Sequence, residues 1–212
     1  MNVRLQWATP DIDKQIMYMA RVSNPENQNS EKSRLLHYCM EHGHVSPFEM
    51  ASACMEIDTT RDIGRQILRH RSFSFQEFSQ RYADVDLLGD WVHRECRMQD
   101  TTNRQNSLPC NDPWLGAKWT RLQGEVWDEA IACYREALNA GIAKEQARAL
   151  LPEGLTPSRL YMCSTIRNWI FYLKQRLDPT TQKEHREIAD AVLRELRAVA
   201  PITMQAFFPE DL

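Results

Sequence analysis

Several common sequence signatures are missing from this chain of 212 residues. None of its six cysteines forms a Cys-x-x-Cys pair, which argues against a zinc site and against a disulfide framework. No Gly-x-Gly-x-x-Gly occurs, so a glycine-rich Rossmann turn is not expected. No apolar run approaches the ~18 residues of a membrane span, and the N-terminus lacks a secretory signal. We therefore expect a cytoplasmic protein with reduced thiols, no membrane association and no metal site.

An excess of positive charge is also lacking. The chain has 26 Lys and Arg against 29 Asp and Glu, which gives a net charge of −3. A protein that binds duplex nucleic acid usually carries a strongly basic domain, so no nucleic-acid partner is predicted. The hydrophobic content of 42% is ordinary for a globular protein, and neither repeats nor low-complexity segments interrupt it. Residues 1–212 are therefore expected to form a single domain.

Periodicity predicts a mixed α/β (α+β) fold. Residues that alternate with period two predict strands, and apolar residues at helical spacing predict helices. The expected strands cover 3–7, 50–60 and 159–166, with an extended segment over 85–97. The expected helices begin near Pro10 and Asp62 and cover 31–41, 144–151, 167–176 and 182–198. Strands of this kind between helices favour a largely antiparallel sheet flanked by helices.

One long helix and one polar segment stand out in the middle of the chain. Apolar residues alternate at steps of three and four from Leu115 to Ala137, through Trp119, Leu122 and Val126, and Gly141 is placed to end the helix. We interpret this stripe as a core-facing surface. The preceding residues 98–113 are polar and rich in turn formers, so we expect a mobile loop there.

The most distinctive segment is 69–82, which reads Arg-His-Arg-Ser-Phe-Ser-Phe-Gln-Glu-Phe-Ser-Gln-Arg-Tyr. Arginine suits planar, bidentate recognition of phosphate, so this segment predicts an anionic ligand. If the backbone is extended after Arg71, then Glu77, Ser79 and Arg81 share one face, which suits a nucleotide monophosphate. Arg69 and Arg71 lie at the predicted end of a helix and cannot share a helical face, so each is available to a different ligand.

The Arg-His-Arg-x7-Ser pattern resembles the signature of the flavin-dependent thymidylate synthases. The resemblance covers about residues 44–190 in family order. It includes His44-Val45-Ser46-Pro47-Phe48-Glu49, Gln66, Glu145-Gln146-Ala147-Arg148 with Leu151-Pro152, Cys163 to Arg167, Leu173 to Arg176, and Gln182-x-Glu184.

The resemblance implies a homotetramer that methylates dUMP with FAD, NADPH and methylenetetrahydrofolate, at sites formed where subunits meet. It assigns cofactor binding to Ser46, Glu49, Arg69, His70, Arg71, Glu77 and Arg167. It assigns nucleotide binding to Gln66, Arg69, Glu77, Phe78, Ser79, Gln80, Arg81, Arg148 and Arg176.

Three residues are candidates for a direct part in the chemistry. Arg176 is placed to activate the pyrimidine, because a nearby guanidinium favours the deprotonated ring. His44 resembles the family histidine beside the flavin. Ser79 closes the signature, but no general base stands beside it in the sequence, so phosphate or ring binding is favoured over nucleophilic attack.

The chain departs from the family pattern at Gln76, Gln80, Thr165, Phe171 and Thr180. These changes leave three alternatives open. The first is a diverged relative that acts on another pyrimidine nucleotide, such as dCMP, or transfers a hydroxymethyl group. The second is a nucleotide-binding protein without flavin chemistry. The third is an RNA-binding module that uses Arg69, Arg71 and the interleaved phenylalanines, which the acidic remainder of the chain disfavours.

Overall fold

The computed structural model describes residues 1–209 and has an α/β fold. Its strands are β1 (Asn2–Ala8), β2 (Ser52–Thr60), β3 (Ser74–Glu77), β4 (Arg97–Gln99), β5 (Ser107–Pro109) and β6 (Pro157–Thr165). Its helices are α1 (Ile12–Ala20), α2 (Arg34–Glu41), α3 (Arg61–Ile67), α4 (Pro113–Asn139), α5 (Lys144–Ala147), α6 (Ile166–Arg176), α7 (Lys183–Val199) and α8 (Pro201–Phe207). The predicted fold class is confirmed. Helix α2 begins three residues later than expected, and α8 was not predicted.

Four strands form the main sheet in the order β1-β2-β6-β3. The amide of Ile166 donates to the carbonyl of Ala51, and the amide of Arg61 donates to the carbonyl of Thr156. Residue numbers therefore rise along β2 as they fall along β6, so these two strands are antiparallel. No helix within residues 1–209 is long and apolar enough to cross a membrane.

The chain divides into two compact units, and neither is a continuous segment. The first unit comprises residues 1–57, 70–75 and the described residues from 161 onward; the second comprises 58–69 and 76–160. The chain passes from one unit to the other at four points. Three of these points lie inside strands β2, β3 and β6, and the fourth lies in the short segment that joins α3 to β3.

The core of the first unit is built by helices packed against one another and on β1. Helix α7 contacts β1, α6 and α8. The predicted apolar face of α7 is confirmed, because Ile188, Val192 and Leu196 are buried. The rings of Phe48 and Phe207 meet edge to face with centroids 5.1 Å apart.

In the second unit, the predicted core face of α4 is wrong by about one residue. Trp119, Leu122 and Val126 are 38, 39 and 53% exposed. Of the predicted stripe Ala137 is buried, and the other buried residues of α4 are Gln123, Trp127, Ile131 and Tyr134. The expected end of the helix is confirmed, since Gly141 has φ +83° just beyond it.

The segments on either side of Arg97 also differ from expectation. Residues 85–97 form no strand over Val85–Arg94 and begin with a 3₁₀ helix over Val85–Leu88. The expected loop 98–113 contains most of a hairpin, because β4 and β5 pair antiparallel with Met98 opposite Leu108. The turn is organised by Asp100, whose carboxylate accepts from the amides of Thr102 and Asn103. The mobility expected of residues 98–113 stays a prediction.

Two helices begin directly where a strand ends. Strand β2 ends at Thr60 and α3 begins at Arg61, while β6 ends at Thr165 and α6 begins at Ile166. The Thr165 hydroxyl caps α6 by accepting from the amide of Asn168 at 3.4 Å. Arginines on both helices are thereby placed by strands of the sheet.

Candidate functional site

A cavity of about 350 Å³ opens in the second unit and is lined mainly by charged side chains. Its lining comprises Arg61, Arg65, Gln80, Glu145, Arg148, Ala149, Leu151, Glu153 and Thr156. Three arginines outnumber two glutamates, so the lining has a positive excess. Such a cavity suits a small anion that presents more than one oxygen.

Two of the arginines come from one face of α3. Arg61 and Arg65 are four residues apart, so they are neighbours on the helix surface. Arg61 Nη1 donates to Glu77 Oε1 at 3.2 Å, and Ser158 Oγ donates to the same oxygen at 2.9 Å. The last residue of β3 therefore anchors the α3 side of the cavity.

The other cations are held by exposed carboxylates and a carbonyl. Arg65 pairs with Glu153, and Arg81 Nε lies 3.5 Å from Glu145 Oε2. Arg148 Nε donates to the carbonyl of Glu145 at 3.3 Å. Exposed ion pairs contribute only about 0–1 kcal/mol, whereas a phosphate can accept bidentate, charge-assisted bonds. A phosphate can therefore replace these carboxylates as the partner of the arginines.

Gln80 contributes a buried donor to the cavity wall. Its side chain is 5% exposed, and its Nε2 atom has no hydrogen-bond partner in the described part of the chain. Leaving a buried donor unsatisfied costs about 1–3 kcal/mol. A ligand oxygen at this position would remove that cost, which makes Gln80 a plausible ligand contact on physical grounds.

A second polar cluster, in the first unit, is centred on Arg176. Arg176 Nε donates to His70 Nε2 at 2.9 Å. Because a guanidinium is always a donor, His70 must accept through Nε2 and carry its proton on Nδ1. Burial, aided by the charge of Arg176, lowers the pKa of His70 to about 4, so the imidazole is neutral at pH 7.

Tyr172 and His185 enclose this pair. The Tyr172 ring lies 4.9 Å from the His70 ring and 5.8 Å from the His185 ring, and both Tyr172 and His185 are buried. Burial lowers the pKa of His185 to about 3 and raises the pKa of Tyr172. Arg176 thus bonds the His70 ring, which is uncharged at neutral pH, in a cluster with Tyr172 and His185.

A third group in the first unit joins Glu49 to Arg167. Arg167 Nη1 donates to Glu49 Oε1, and the guanidinium carbon lies 5.5 Å from the centre of the Phe171 ring. Arg167 Nε is buried and lacks a partner among residues 1–209. Phe171, which departs from the family pattern, is 47% exposed. Its free face is available for stacking against a planar ligand.

Residues of β6 and α6 hold the backbone after Arg71. The carbonyl of Ser72 accepts from Ser164 Oγ at 2.8 Å and from Asn168 Nδ2 at 3.0 Å. Arg69 and Arg71 are both exposed on either side of the half-buried His70. The two arginines of the signature are therefore presented outward, as separate ligand contacts require.

The predicted common face of Glu77, Ser79 and Arg81 required an extended backbone, and strand β3 ends at Glu77. The Ser79 carbonyl accepts from the amides of Tyr82 and Ala83, so a turn follows the strand. Gln80 lines the cavity, Ser79 and Arg81 on either side of it are exposed, and a shared ligand face for the three residues stays a prediction. Phe78 remains tied to the sheet, because its amide donates to the carbonyl of Arg159.

The remaining predicted residues lie outside these clusters. Gln66 is half-buried on α3. Ser46 is exposed at the start of a 3₁₀ helix, and His44 is exposed with its ring 5.8 Å from the Tyr38 ring. Their roles stay predictions.

Sequence reasoning missed four residues that the structure places in these clusters: Arg61, Arg65, Tyr172 and His185. The i, i+4 spacing of the two arginines was an available signal. Nothing comparable marks Tyr172 or His185, whose roles depend on packing between α6 and α7. Among the described residues, no group of His, Cys, Asp and Glu side chains is placed to hold a metal ion.

Comparison with known proteins agrees with this geometry. Residues 4–202 match the family model of the thymidylate synthase complementing proteins. The chain is 49% identical over 174 residues to a flavin-dependent thymidylate synthase of Synechocystis, which covers 82% of this chain and 79% of that protein. It is 47% identical over 178 residues to a probable flavin-dependent thymidylate synthase of Paramecium bursaria Chlorella virus 1, covering 83 and 81%.

A solved structure shares the fold. The UMP/dUMP methylase PolB from Streptomyces cacaoi, bound to 5-Br dUMP, superposes with a TM-score of 0.84 at 27% identity and covers 97% of this chain and 93% of that one. The chain is therefore an enzyme with an α/β fold. The chain belongs to the family of the flavin-dependent thymidylate synthases.

Proposed function

We propose that this chain methylates dUMP to dTMP, with bound FAD, methylenetetrahydrofolate as the carbon donor and NADPH as the reductant. The observation that carries the proposal is the cavity in which Arg61, Arg65 and Arg148 converge with the buried donor of Gln80. Relatives with 47 and 49% identity are named for this activity. The cavity would hold the phosphate end of the nucleotide.

The chain's own residues fit a flavin. Arg167 has a buried Nε without a partner in the described residues, and Phe171 beside it has an exposed aromatic face. Arg167, Glu49, Ser46, Arg69, His70 and Arg71 would hold FAD. When bound, FAD supplies hydride chemistry that the side chains lack. The residues bind and orient it, since the sequence offers no glycine-rich phosphate turn.

Arg176 would act on the pyrimidine. A guanidinium within about 4–6 Å of an ionisable ring nitrogen lowers the pKa of that nitrogen by ~1–3 units. The ring then carries more negative charge at C5, where the new carbon bond forms. His70 holds the Arg176 guanidinium by its Nε donor and would set its direction toward the ring.

A direct test is to mix purified protein with dUMP, methylenetetrahydrofolate and NADPH and to identify the product by mass spectrometry. We expect a yellow protein that forms dTMP only when all three compounds are present. Arg176→Ala is expected to bind flavin but to lose turnover. A colourless protein that does not oxidise NADPH would favour the alternative of nucleotide binding without flavin chemistry.

UMP is a second candidate substrate. The solved methylase with the same fold was crystallised with 5-Br UMP as well as with 5-Br dUMP. Parallel assays with dUMP, UMP and dCMP would decide between them. If only dCMP reacts, or if a hydroxymethyl product appears, the dUMP proposal is wrong and the diverged-relative alternative is correct.

A further inference from the structure

The β4–β5 hairpin brings two cysteines face to face. Arg97 is opposite Pro109 in its register. One residue further from the turn, Cys96 is therefore opposite Cys110. Opposite residues in antiparallel strands have Cα atoms about 4.5–5.5 Å apart, which is within the usual range for a disulfide of about 4.4–6.8 Å.

The two thiols are close to each other and are accessible. The Cys110 thiol is one of the groups that raise the pKa of Cys96, and Cys110 Sγ lies 3.7 Å from the carbonyl oxygen of Asp112. Both cysteines are free and only half-buried. An oxidant in solution can therefore reach a pair that needs little movement to close.

We propose that Cys96 and Cys110 form a reversible disulfide modification site that reacts with small disulfide oxidants, such as oxidised glutathione. One thiolate attacks a sulfur of the oxidant, forms a mixed disulfide and releases one reduced thiol. The second thiol loses its proton and attacks the protein sulfur, which forms the Cys96–Cys110 bond and releases the second reduced thiol. The protein loses two electrons and two protons, and one oxidant molecule is reduced.

A second facing pair provides an internal comparison. Ala51 is bonded to Ile166 across β2 and β6, which places Cys54 opposite Cys163. Cys54 is buried, and burial raises the pKa of its thiol to about 11. Cys163 is half-buried, but its partner Cys54 is not accessible. Because the thiolate is the attacking species, the Cys54–Cys163 pair is expected to stay reduced when the hairpin pair reacts.

The pKa of Cys96 is also raised, by partial burial, by the Cys110 thiol and by the negative charges of Asp112 and Glu95. Oxidation of the hairpin pair should therefore be faster at pH 9 than at pH 7. The main evidence for the disulfide site is that Cys96 and Cys110 are opposite each other in the hairpin, and this pH effect is additional support.

The test uses the full-length folded protein. It is incubated with oxidised glutathione, its remaining thiols are alkylated, and it is digested with trypsin and analysed by mass spectrometry. The expected product is residues 95–97 joined to residues 105–118, since trypsin cuts after Arg94, Arg97, Arg104 and Lys118. The linked peptide should disappear after dithiothreitol treatment and in Cys96→Ser. It should persist in Cys133→Ser, which removes a half-buried thiol of α4.

Two results would overturn the proposal. In one, Cys96 and Cys110 remain fully alkylated after the oxidant while the protein stays folded. In the other, each cysteine carries its own glutathione and no linked peptide forms. Linkage of Cys54 to Cys163 at an equal rate would refute the selectivity.

Discussion

At the scale of single residues, the bond from Arg176 to His70 makes the imidazole an acceptor with a defined tautomer. Glutamine can present an oxygen near the position of the imidazole Nε2, whereas alanine cannot. We therefore expect His70→Ala to lower turnover of dUMP by about tenfold or more, because a hydrogen bond to a charged group is worth roughly 1.5–3 kcal/mol. His70→Gln should restore most of the loss. Steady-state kinetics with saturating dUMP measures both.

Flavin binding is the control for that experiment. His70 is also one of the six residues proposed to hold FAD, so the two roles must be separated. If His70 acts mainly through Arg176, the five remaining residues should keep FAD bound, and the visible absorbance of bound flavin should change little in His70→Ala. Loss of flavin from both variants would instead show that His70 is mainly a cofactor contact.

The same cluster predicts an acid-sensitive fold. In the folded protein the pKa values of His70 and His185 are lowered to about 4 and about 3, from an ordinary value of 6.5. Below pH 6.5 the unfolded chain binds protons that the folded chain does not, so the free energy of unfolding should fall as the pH drops from about 6.5 toward 4. Urea unfolding followed by circular dichroism at several pH values measures this change.

Matched variants separate the histidines from acidic groups that titrate nearby. His70→Gln should make the curve less steep above pH 5, with the remaining slope due to His185. His93→Gln, at an exposed histidine bonded to Thr120, should leave the curve unaltered. An identical curve in wild type and His70→Gln would contradict the assignment.

At the scale of helices and strands, α3 and the segment from α5 to Leu151 supply most of the residues that line the cavity. Arg61→Ala and Arg148→Ala each remove one cation from it, and each should raise the KM for dUMP about tenfold or more, with a smaller change in kcat. Arg121→Ala is the matched control, because Arg121 pairs with Glu125 on the exposed side of α4. An equal effect of Arg121→Ala would show that net charge, and not the cavity, governs nucleotide affinity.

Helix α4 shows where periodicity is insufficient. The helix has apolar residues on two faces, so the period alone cannot select the buried one. The buried face includes Gln123, whose amide bonds the backbone of Arg94 in both directions, an interaction that the sequence does not reveal. By contrast α7 has one apolar face, and its prediction was confirmed.

The site was predictable to the extent that it depends on local chemistry. The signature identified Gln80 and His70, and the pattern of family residues identified Arg148, Arg167 and Arg176. The turn at Ser79 and the pairing of Arg61 with Glu77 were not predictable, because both depend on where β3 stops relative to α3. Contacts between segments distant in sequence account for the misses.

At the scale of the whole molecule, the proposed homotetramer has a direct test. Light scattering after gel filtration should give four times the chain mass of 24.8 kDa. Because the proposed sites form where subunits meet, specific activity should fall when dilution dissociates the tetramer. A fully active monomer would contradict both the assembly and the shared sites.

Chain topology also explains why no domain boundary was found in the sequence. Three of the four points at which the chain passes from one unit to the other lie inside strands β2, β3 and β6. The composition does not change at these points, so the sequence does not mark the division.

The direct passage from β2 into α3 and from β6 into α6 has a further effect on recognition. Without a flexible joint, the guanidinium groups of Arg61 and Arg167 start from backbone positions that are already restricted before any ligand arrives. Little conformational entropy of the chain is then lost when a ligand binds. A larger part of the favourable free energy of each contact therefore contributes to affinity. Inserting two glycines after Thr165 should accordingly weaken binding mainly through entropy.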